Sequence, residues 1–330
     1  MEVQLVMRKF YIISILLIFF SFFLIFSSLA QEYPSKPIQG VISLSAGGTM
    51  DVIVRGMAPF MEDYLGQPLV LTNEAGANGT VAVAHVAASK PDGYTFGWCN
   101  MPTINIHYQM RDLPYTPDDF EYVGSPMPYE YAVVVRPDEP WKENWESFIQ
   151  YAKDHPNMVT YGVPGIGSTN HLTMAYIGMK ENISWNAVPF KGDSEAVAAV
   201  LGGHVDCAET ATIPMLSPTL AGQLKALVVG SKRRLDFVPD ISTLEEKGYG
   251  FFQFSCIGMI LPKNTPENIR QKLESAIEFA VNQDEVQEMA KNVWQVRLDF
   301  KNGEEYKELL LEYGTFWGGV LKELGMLKDQ

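Results

Sequence analysis

The feature that most constrains this chain is a repeated order of short apolar run, glycine-rich loop and helix. Residues 38–44 form a β-compatible run, residues 45–48 a loop with two glycines, and residues 51–65 place apolar side chains at helical spacing. The order recurs around the loops at 73–80 and 164–171. Such alternation predicts an α/β fold with mostly parallel sheets flanked by helices. Ligands of such sheets bind beyond the carboxyl ends of the strands.

The length of the chain favours two such domains. After a leader, residues 31–330 fit two domains of roughly 100 to 200 residues each. We expect a first lobe built from residues 31–135 and 252–330, and a second lobe from residues 136–251. The helical pattern near the carboxyl terminus would complete the first lobe. A cap or a dimer face is the alternative use of those helices.

The first thirty residues have the pattern of a secretory signal peptide. Arg8 and Lys9 precede an apolar run over residues 10–26, and Ser28-Leu29-Ala30 is a small-x-small cleavage pattern. We expect cleavage after Ala30 and an exported protein, periplasmic or otherwise extracytoplasmic. The apolar run approaches the roughly 20 residues that span a bilayer, so an uncleaved membrane anchor is the alternative.

Composition excludes several classes of function. The net charge of −14 gives an acidic surface, which repels nucleic acid and anionic lipid head groups but leaves a small anionic ligand possible. The three cysteines lack metal-binding spacing and the five histidines form no i, i+4 pair, so we expect no metal. No cofactor is expected either, because phosphate-loop and dinucleotide patterns are absent from the sequence. The cysteines should be buried apolar residues, with one disulfide as the alternative.

The first glycine loop is the leading candidate for a ligand site. Gly47 and Gly48 would present backbone N–H groups at the start of a helix, and Thr49 would add a hydroxyl, an arrangement suited to a carboxylate. Asp51 falls in the first helical turn, where it could bind loop N–H groups and stiffen the site. An ordinary glycine turn with Thr49 or Asp51 as helix cap is the alternative.

Other strand ends supply further candidates for ligand binding. Asn100 and Met101 open a loop after the strand-like run at 94–99. Thr210 follows the run at 205–208 and could donate a hydroxyl hydrogen bond.

Ser168 and His171 raise the possibility of an exported hydrolase. A hydrolase elbow needs Gly-x-Ser-x-Gly, and this chain lacks the second glycine. Three residues of separation at a helix start do not aim an imidazole at a serine hydroxyl. A helix-capping cluster that also donates to a ligand is the better interpretation.

Ten motifs in a fixed order extend over almost all of the chain after the leader. They are YPSKPI at Tyr33, GGTMDVIVR at Gly47, GANGT at Gly76, KPDGYT at Lys90, LPYTPDDF at Leu113, GIGSTNHL at Gly165, VPFKG at Val188, LGGHVD at Leu201, STLEEKGY at Ser242 and LPKNTPENI at Leu261. In this order they resemble the periplasmic solute receptors of tripartite tricarboxylate transporters, the Bug family. The resemblance implies a two-lobed type II periplasmic binding fold with its ligand in the interlobe cleft.

The resemblance also implies a function. Such a receptor is not an enzyme: it closes as a monomer on a small carboxylate, held by loop backbone, hydroxyls and water, and delivers it to membrane subunits of the transporter. The ligand-binding residues that it implies are Ala46, Gly47, Gly48, Thr49, Asp51, Gly76, Asn78, Gly79, Gly167, Ser168, Thr169, His171, Asp206 and Thr210.

The sequence departs from the family pattern at two places near these residues. Residues 43–46 read Ser-Leu-Ser-Ala where the family usually has an aromatic residue and a proline, and Phe190 replaces a usual tyrosine. The identity of the carboxylate is therefore open. A hydrolase using Ser168 and a ligand sensor for a membrane kinase are the alternative functions.

Overall fold

The computed structural model describes Met7, residues 33–141 and residues 143–328. The predicted signal peptide, residues 1–30, lies outside the described residues except for Met7. The chain divides into one unit that ends at Lys36 and a second that starts at Pro37, and the fold below is that of the second unit. Within the described part of the chain, no helix combines the length and apolarity needed to span a bilayer.

The described residues form eleven strands and eleven α-helices. The strands are β1 (Ile38–Ile42), β2 (Leu69–Asn73), β3 (Thr95–Asn100), β4 (Phe120–Pro128), β5 (Tyr131–Val135), β6 (Thr160–Val163), β7 (Asn186–Pro189), β8 (Cys207–Ala211), β9 (Lys225–Val229), β10 (Cys256–Pro262) and β11 (Lys301–Asn302). The helices are α1 (Thr49–Leu65), α2 (Thr80–Ala87), α3 (Met101–Asn105), α4 (His107–Met110), α5 (Trp145–Asp154), α6 (Thr169–Glu181), α7 (Asp193–Leu201), α8 (Thr212–Leu220), α9 (Glu267–Val281), α10 (Asp284–Met289) and α11 (Gly303–Glu323).

The first sheet has the strand order β11-β4-β10-β3-β1-β2. β1 pairs in parallel with β2 and β3, whereas β10 is antiparallel to both β3 and β4. The parallel strands place their carboxyl ends, and hence the loops after residues 42, 73 and 100, at one edge of the sheet. β1 itself is an apolar run that is buried at four of its five positions, as expected for a strand covered on both faces.

The second sheet has the order β7-β6-β8-β5-β9 and is also mixed. β6 pairs in parallel with β7 and β8, and β5 lies antiparallel between β8 and β9. The predicted α/β class is confirmed, with antiparallel strands added to three parallel strands in each sheet. Residues 131–135, expected in the first lobe, pair in this second sheet. All five are buried there, because alternate side chains of β5 pack into apolar clusters on the two faces of the sheet.

The chain crosses between the two sheets twice, and the two crossings are bonded to each other. Tyr129 N donates to Ser255 O and Gly230 N donates to Tyr131 O, each at 2.8 Å, and within the second crossing Gln253 N donates to Gly230 O at 2.7 Å. Two extended segments thus run side by side between the sheets. This paired connection links the two sheets.

The carboxyl-terminal helices pack on the first sheet and do not form a separate cap. α9 lies against α1 and β4, and α11 lies against β4. Tyr306 of α11 is fully buried over Gly258, whose missing side chain leaves room for the ring. Cys99, Cys207 and Cys256 are buried and unpaired, which confirms their prediction as core residues.

Candidate functional site

The loops at the carboxyl ends of the parallel strands in both sheets meet around one small cavity of about 90 Å³. The residues that line it are Leu44, Ser45, Ala46, Gly48, Thr49, Asn78, Asn100, Tyr129, Tyr131, Pro164, Asn170, Gly192, Asp193, Ser194 and Glu195. Five of the predicted ligand-binding residues are among them. These are Ala46, Gly48, Thr49, Asn78 and Asn100.

The loop before α1 is held in shape by Asp51. One oxygen of its carboxylate accepts from Gly47 N at 2.9 Å, and the other accepts from Arg55 Nε at 2.7 Å and Asn73 Nδ2 at 3.0 Å. Although burial alone raises the pKa of Asp51, these hydrogen bonds lower it below the ordinary value. Asp51 is therefore an ionised brace beneath the loop and does not line the cavity. Gly47 takes a positive φ of 76°, which favours glycine.

The amino terminus of α1 carries no side-chain cap. Gly48 occupies the cap position and offers no side-chain acceptor, so the N–H groups of the first turn keep their partial positive charge. Thr49 is only 3% exposed, and its Oγ1 has no hydrogen-bond partner among the described residues. A group of free donors thus borders the cavity on the side of the first sheet.

Ser168 and His171 have structural roles and do not form a catalytic pair. Ser168 Oγ accepts from His171 N at 3.1 Å as the cap of α6 and donates to Gly165 O at 2.8 Å. The imidazole of His171 stacks on Tyr161 with ring centroids 6.4 Å apart, and burial lowers its pKa. The hydroxyl therefore bonds to backbone groups, and the ring is not placed to accept its proton.

Several other predicted ligand-binding residues lie outside the lining of the cavity. Gly76 and Gly79 shape the loop after β2, Met101 is fully buried, Thr169 is almost fully buried, and Gly167 packs against Met110. These residues position the loops without bordering the cavity.

Asp206 and Thr210 are also placed away from the cavity lining. Asp206 accepts from Thr160 N and Oγ1, both at 2.7 Å, at the amino ends of β6 and β8. That edge of the sheet is opposite to the ligand edge. Thr210 is buried within β8, where it donates to Ala211 O at 3.1 Å and supports the wall by a hydrogen bond with Asp193.

Direct contacts close the cavity between the loops of the two sheets. Ser45 Oγ donates to Lys191 O, and Ser194 Oγ donates to Gly47 O, each at 3.3 Å. These bonds join the loop before α1 to the loop before α7. The structure is therefore that of a closed cleft.

A second closing contact involves Asn78 and His107. With the amide orientation that satisfies both of its ends, Asn78 Nδ2 donates to Pro164 O at 3.0 Å and Oδ1 accepts from His107 Nε2 at 3.1 Å. Burial, with a smaller effect of Arg111, lowers the pKa of His107 to about 4. The ring is therefore neutral at pH 7, and its Nε2 lies 3.2 Å from Gly167 O, across the cleft.

The second wall of the cavity contains residues that the motifs did not single out for ligand binding. They are Tyr129, Tyr131, Asn170, Gly192, Asp193, Ser194 and Glu195. The loop at 190–192 follows a parallel strand. It could have been identified from the tendency of ligands to bind beyond the carboxyl ends of such strands. The two tyrosines flank the crossing between the sheets, a position that only the strand pairing reveals.

Asp193 is the most unusual group in this wall. Asn170 Nδ2 donates to its Oδ1 at 3.2 Å and also donates to Glu209 O at 2.9 Å. Burial raises the pKa of Asp193 to about 7, because hydrogen bonds from neighbouring groups only partly offset the loss of water. Among the described residues, no group of three or more His, Cys, Asp and Glu side chains could hold a metal ion.

Residues 53–326 match the model of the tripartite tricarboxylate transporter family receptor. The protein encoded in the gbd 5′ region of Cupriavidus necator is 33% identical over 304 residues, which cover 91% of each chain. The structure is similar to that of the periplasmic binding protein BugD, with a TM-score of 0.83 and 27% identity over 90% of this chain and all of BugD.

A third similarity is to MatC from Rhodopseudomonas palustris, whose structure contains bound malate. The TM-score is 0.79, with 26% identity over 88% of this chain and all of MatC. The family match covers most of the chain, and the similar structures cover nearly the whole described fold. The chain therefore belongs to the tripartite tricarboxylate transporter receptor family.

Proposed function

We propose that the protein is an extracytoplasmic receptor that captures a small carboxylate-containing ligand by lobe closure and delivers it to a tripartite tricarboxylate-type membrane transporter. The observation that carries the proposal is the uncapped amino terminus of α1, which borders a cavity closed by contacts from the second sheet. Family membership supports the same function. The malate bound to MatC shows that one similar receptor binds a small carboxylate.

The chemistry of the α1 terminus suits a carboxylate without a cationic clamp. Backbone N–H groups at a helix start stabilise an anion by about 0.3–2 kcal/mol, depending on burial. The Thr49 hydroxyl adds a donor that has no partner in the described part of the protein. Closure removes water from these donors, which strengthens each hydrogen bond in the lower local dielectric.

The domain organisation is part of this proposal. We assign one lobe to each sheet, with the crossings after β4 and after β9 as the hinge. The cavity has a volume of only about 90 Å³, so this closed arrangement suits a small ligand. Both walls of the cavity come from one chain, and we infer that the monomer is the functional unit. Export by a signal peptide cleaved after Ala30 completes the proposed path.

A hydrolytic function has less support. Ser168 Oγ is occupied as a helix cap, and His171 stacks on Tyr161. Esterase and amidase turnover that Ser168→Ala abolishes would contradict the receptor function.

The direct test is a ligand screen by thermal shift, followed by isothermal titration calorimetry. The panel contains monocarboxylates, dicarboxylates, tricarboxylates, amino acids and aromatic acids. A ligand at 100 times its Kd should stabilise the protein by about 2.7 kcal/mol. Absence of saturable binding by every carboxylate would overturn the proposal. Co-purification with the membrane subunits, in the presence and absence of ligand, tests delivery.

A further inference from the structure

The cavity contains acidic side chains and no basic ones. Asp193 and Glu195 line it, whereas lysine, arginine and histidine are absent from the described lining residues. A pocket that bound only a dianion or trianion would place added negative charge against these carboxyl groups. The composition of the lining therefore points to a ligand that also carries a positive or hydrogen-bond-donating group.

Asp193 has no cationic partner to balance it. Its neighbours are Glu195 on the same helix, Glu209 on β8, and Tyr129 and Tyr131 at the crossing. Asn170 donates to it at 3.2 Å, and the Thr210 side chain and the Ala211 backbone also supply hydrogen bonds, fewer than the roughly four that a carboxylate can accept. This environment leaves the carboxyl group with unused acceptor capacity at the wall of the cavity.

Glu209 on β8 places a second carboxyl group close to Asp193. It is 0% exposed, and its Oε1 has no partner within the described structure, while Oε2 receives a long bond of 3.4 Å from Gln253 Nε2. Burial, and then the nearby Asp193, raise the pKa of Glu209 well above its ordinary value. Two carboxyl groups thus share one poorly hydrated region.

Unpartnered hydroxyl groups show independently that the cavity is built for a polar ligand. Tyr129 is 4% exposed and Thr49 is 3% exposed, and both line the cavity. The hydroxyl of each lacks a hydrogen-bond partner in the described part of the chain. Buried hydroxyls without partners are uncommon, because each loses its bonds to water on folding.

Building on the function proposed above, we propose that the ligand is dipolar: its carboxylate lies at the amino terminus of α1, and a protonated amine lies against Asp193. The ligand class is a small amino acid or another short amino carboxylate. An ammonium group supplies three N–H donors and a positive charge where the protein supplies acceptors and no cation. A ligand with a second carboxylate in that place would face Asp193 across a poorly hydrated space.

Matched ligand pairs test this inference by isothermal titration calorimetry at pH 7. L-Alanine and β-alanine are compared with propionate, and 4-aminobutyrate is compared with butyrate and succinate. We expect at least one amino carboxylate to bind ten times or more tightly than its amine-free partner. Tighter binding of the amine-free acids would overturn the inference of a dipolar ligand and would leave the proposed carboxylate receptor function standing. Absence of binding by every carboxylate, including the wider panel above, overturns both.

The variant Asp193→Asn tests the position of the amine. The substitution should lower the affinity for the best amino carboxylate at least tenfold. The affinity for its amine-free partner should be unchanged or higher. Glu245→Gln, at an exposed site away from the cavity, is the control for loss of one acidic charge. An equal loss for both ligands would contradict the proposed contact.

Proton exchange on binding gives an independent readout in the unmodified protein. An ammonium beside Asp193 favours the ionised form of its carboxyl group. Ligand binding at pH 7 should therefore release protons, and the affinity should increase as pH rises from 6 to 8. Calorimetry in phosphate and Tris buffers measures the number of protons from the difference in heat. Proton uptake, or affinity that falls as pH rises over this range, would overturn the inference.

Discussion

The amino termini of α1 and α7 border the same cavity, and each places an aspartate in its first turn, yet the two aspartates behave in opposite ways. Asp51 receives hydrogen bonds from Gly47, Arg55 and Asn73, which lower its pKa. Burial raises the pKa of Asp193 to about 7, and hydrogen bonds from Ala211, Thr210 and Asn170 offset this only in part. An aspartate in the first helical turn therefore serves as a structural brace in one wall and as an acceptor that lines the cavity in the other.

The difference follows from what each helix start has next to it. A cation one turn along α1, Arg55, keeps Asp51 ionised and turned away from the cavity, so that the N–H groups remain available to an anion. No lysine or arginine contributes to the environment of Asp193. One wall is thus a donor surface and the other an acceptor surface, which is the arrangement that a dipolar ligand requires.

The largest expected effect comes from blocking the donor wall. Gly48→Val should weaken carboxylate binding at least 100-fold, because its side chain would occupy the space where a ligand approaches the N–H groups. The backbone at Gly48 has φ −78°, which valine can adopt, so the fold should remain cooperative. Calorimetry measures the affinity, and Gly319→Val on an exposed face of α11 is the control. Unchanged affinity would exclude this wall as the carboxylate site.

Removing the brace should reduce stability. Asp51→Asn loses an ionised acceptor of three hydrogen bonds, and we expect the free energy of unfolding at pH 7 to fall by about 1.5–3 kcal/mol. Since the folded pKa lies below the ordinary 3.8, this contribution is present above about pH 4 and is lost as pH falls through the folded pKa. Urea unfolding at pH 7 and pH 3 measures it, with exposed Asp63→Asn as the control. An equal loss at both pH values would contradict the ionised brace.

The acceptor wall should show the opposite pH dependence. The folded pKa of Asp193, about 7, exceeds its ordinary 3.8, so ionisation of Asp193 lowers stability as pH rises between these values. Without ligand, the free energy of unfolding of Asp193→Asn, taken relative to the unmodified protein, should therefore rise by on the order of 1–2 kcal/mol between pH 4 and pH 8. Urea unfolding across this range, with exposed Asp240→Asn as the control, measures the difference. A constant difference would show that Asp193 titrates normally.

The smallest expected effect concerns the contact between the walls. Ser194→Ala removes the bond to Gly47 O, which is 3.3 Å long and exposed, and should weaken ligand binding about two- to fivefold, since one such bond contributes roughly 0.5–1 kcal/mol. Calorimetry measures the change, and Ser217→Ala on the exposed part of α8 is the control. A tighter affinity would mean that this bond opposes the bound state.

Much of the fold was predictable because its signals are local. The apolar runs, the glycine loops and the helical spacing identified β1, α1 and β6 and placed their loops at strand ends. The motifs also identified the α1 wall, including Thr49 and the bracing contact of Asp51 with the loop. These features depend on interactions between residues that are close in the chain, so a short stretch of sequence is enough to predict them.

The second wall was harder to predict because it depends on contacts between distant residues. Tyr129 reaches the cavity only because β5 leaves the first sheet and pairs between β8 and β9. Asp206 resembled a ligand residue by motif, but strand direction places it at the opposite edge of its sheet. Neither placement can be read from spacing along the chain.

The sequence by itself determined the α/β class, the family and the donor wall, because periodicity, glycine conformation and helix termini are local properties. Only the tertiary structure decided which sheet β5 joins and what surrounds each aspartate. The reason is that pairing and burial depend on groups far apart in sequence. Asp51 and Asp193 both lie in the first turn of a helix. Hydrogen bonds from Gly47, Asn73 and Arg55 outweigh burial and lower the pKa of Asp51, whereas burial without a cationic partner raises the pKa of Asp193.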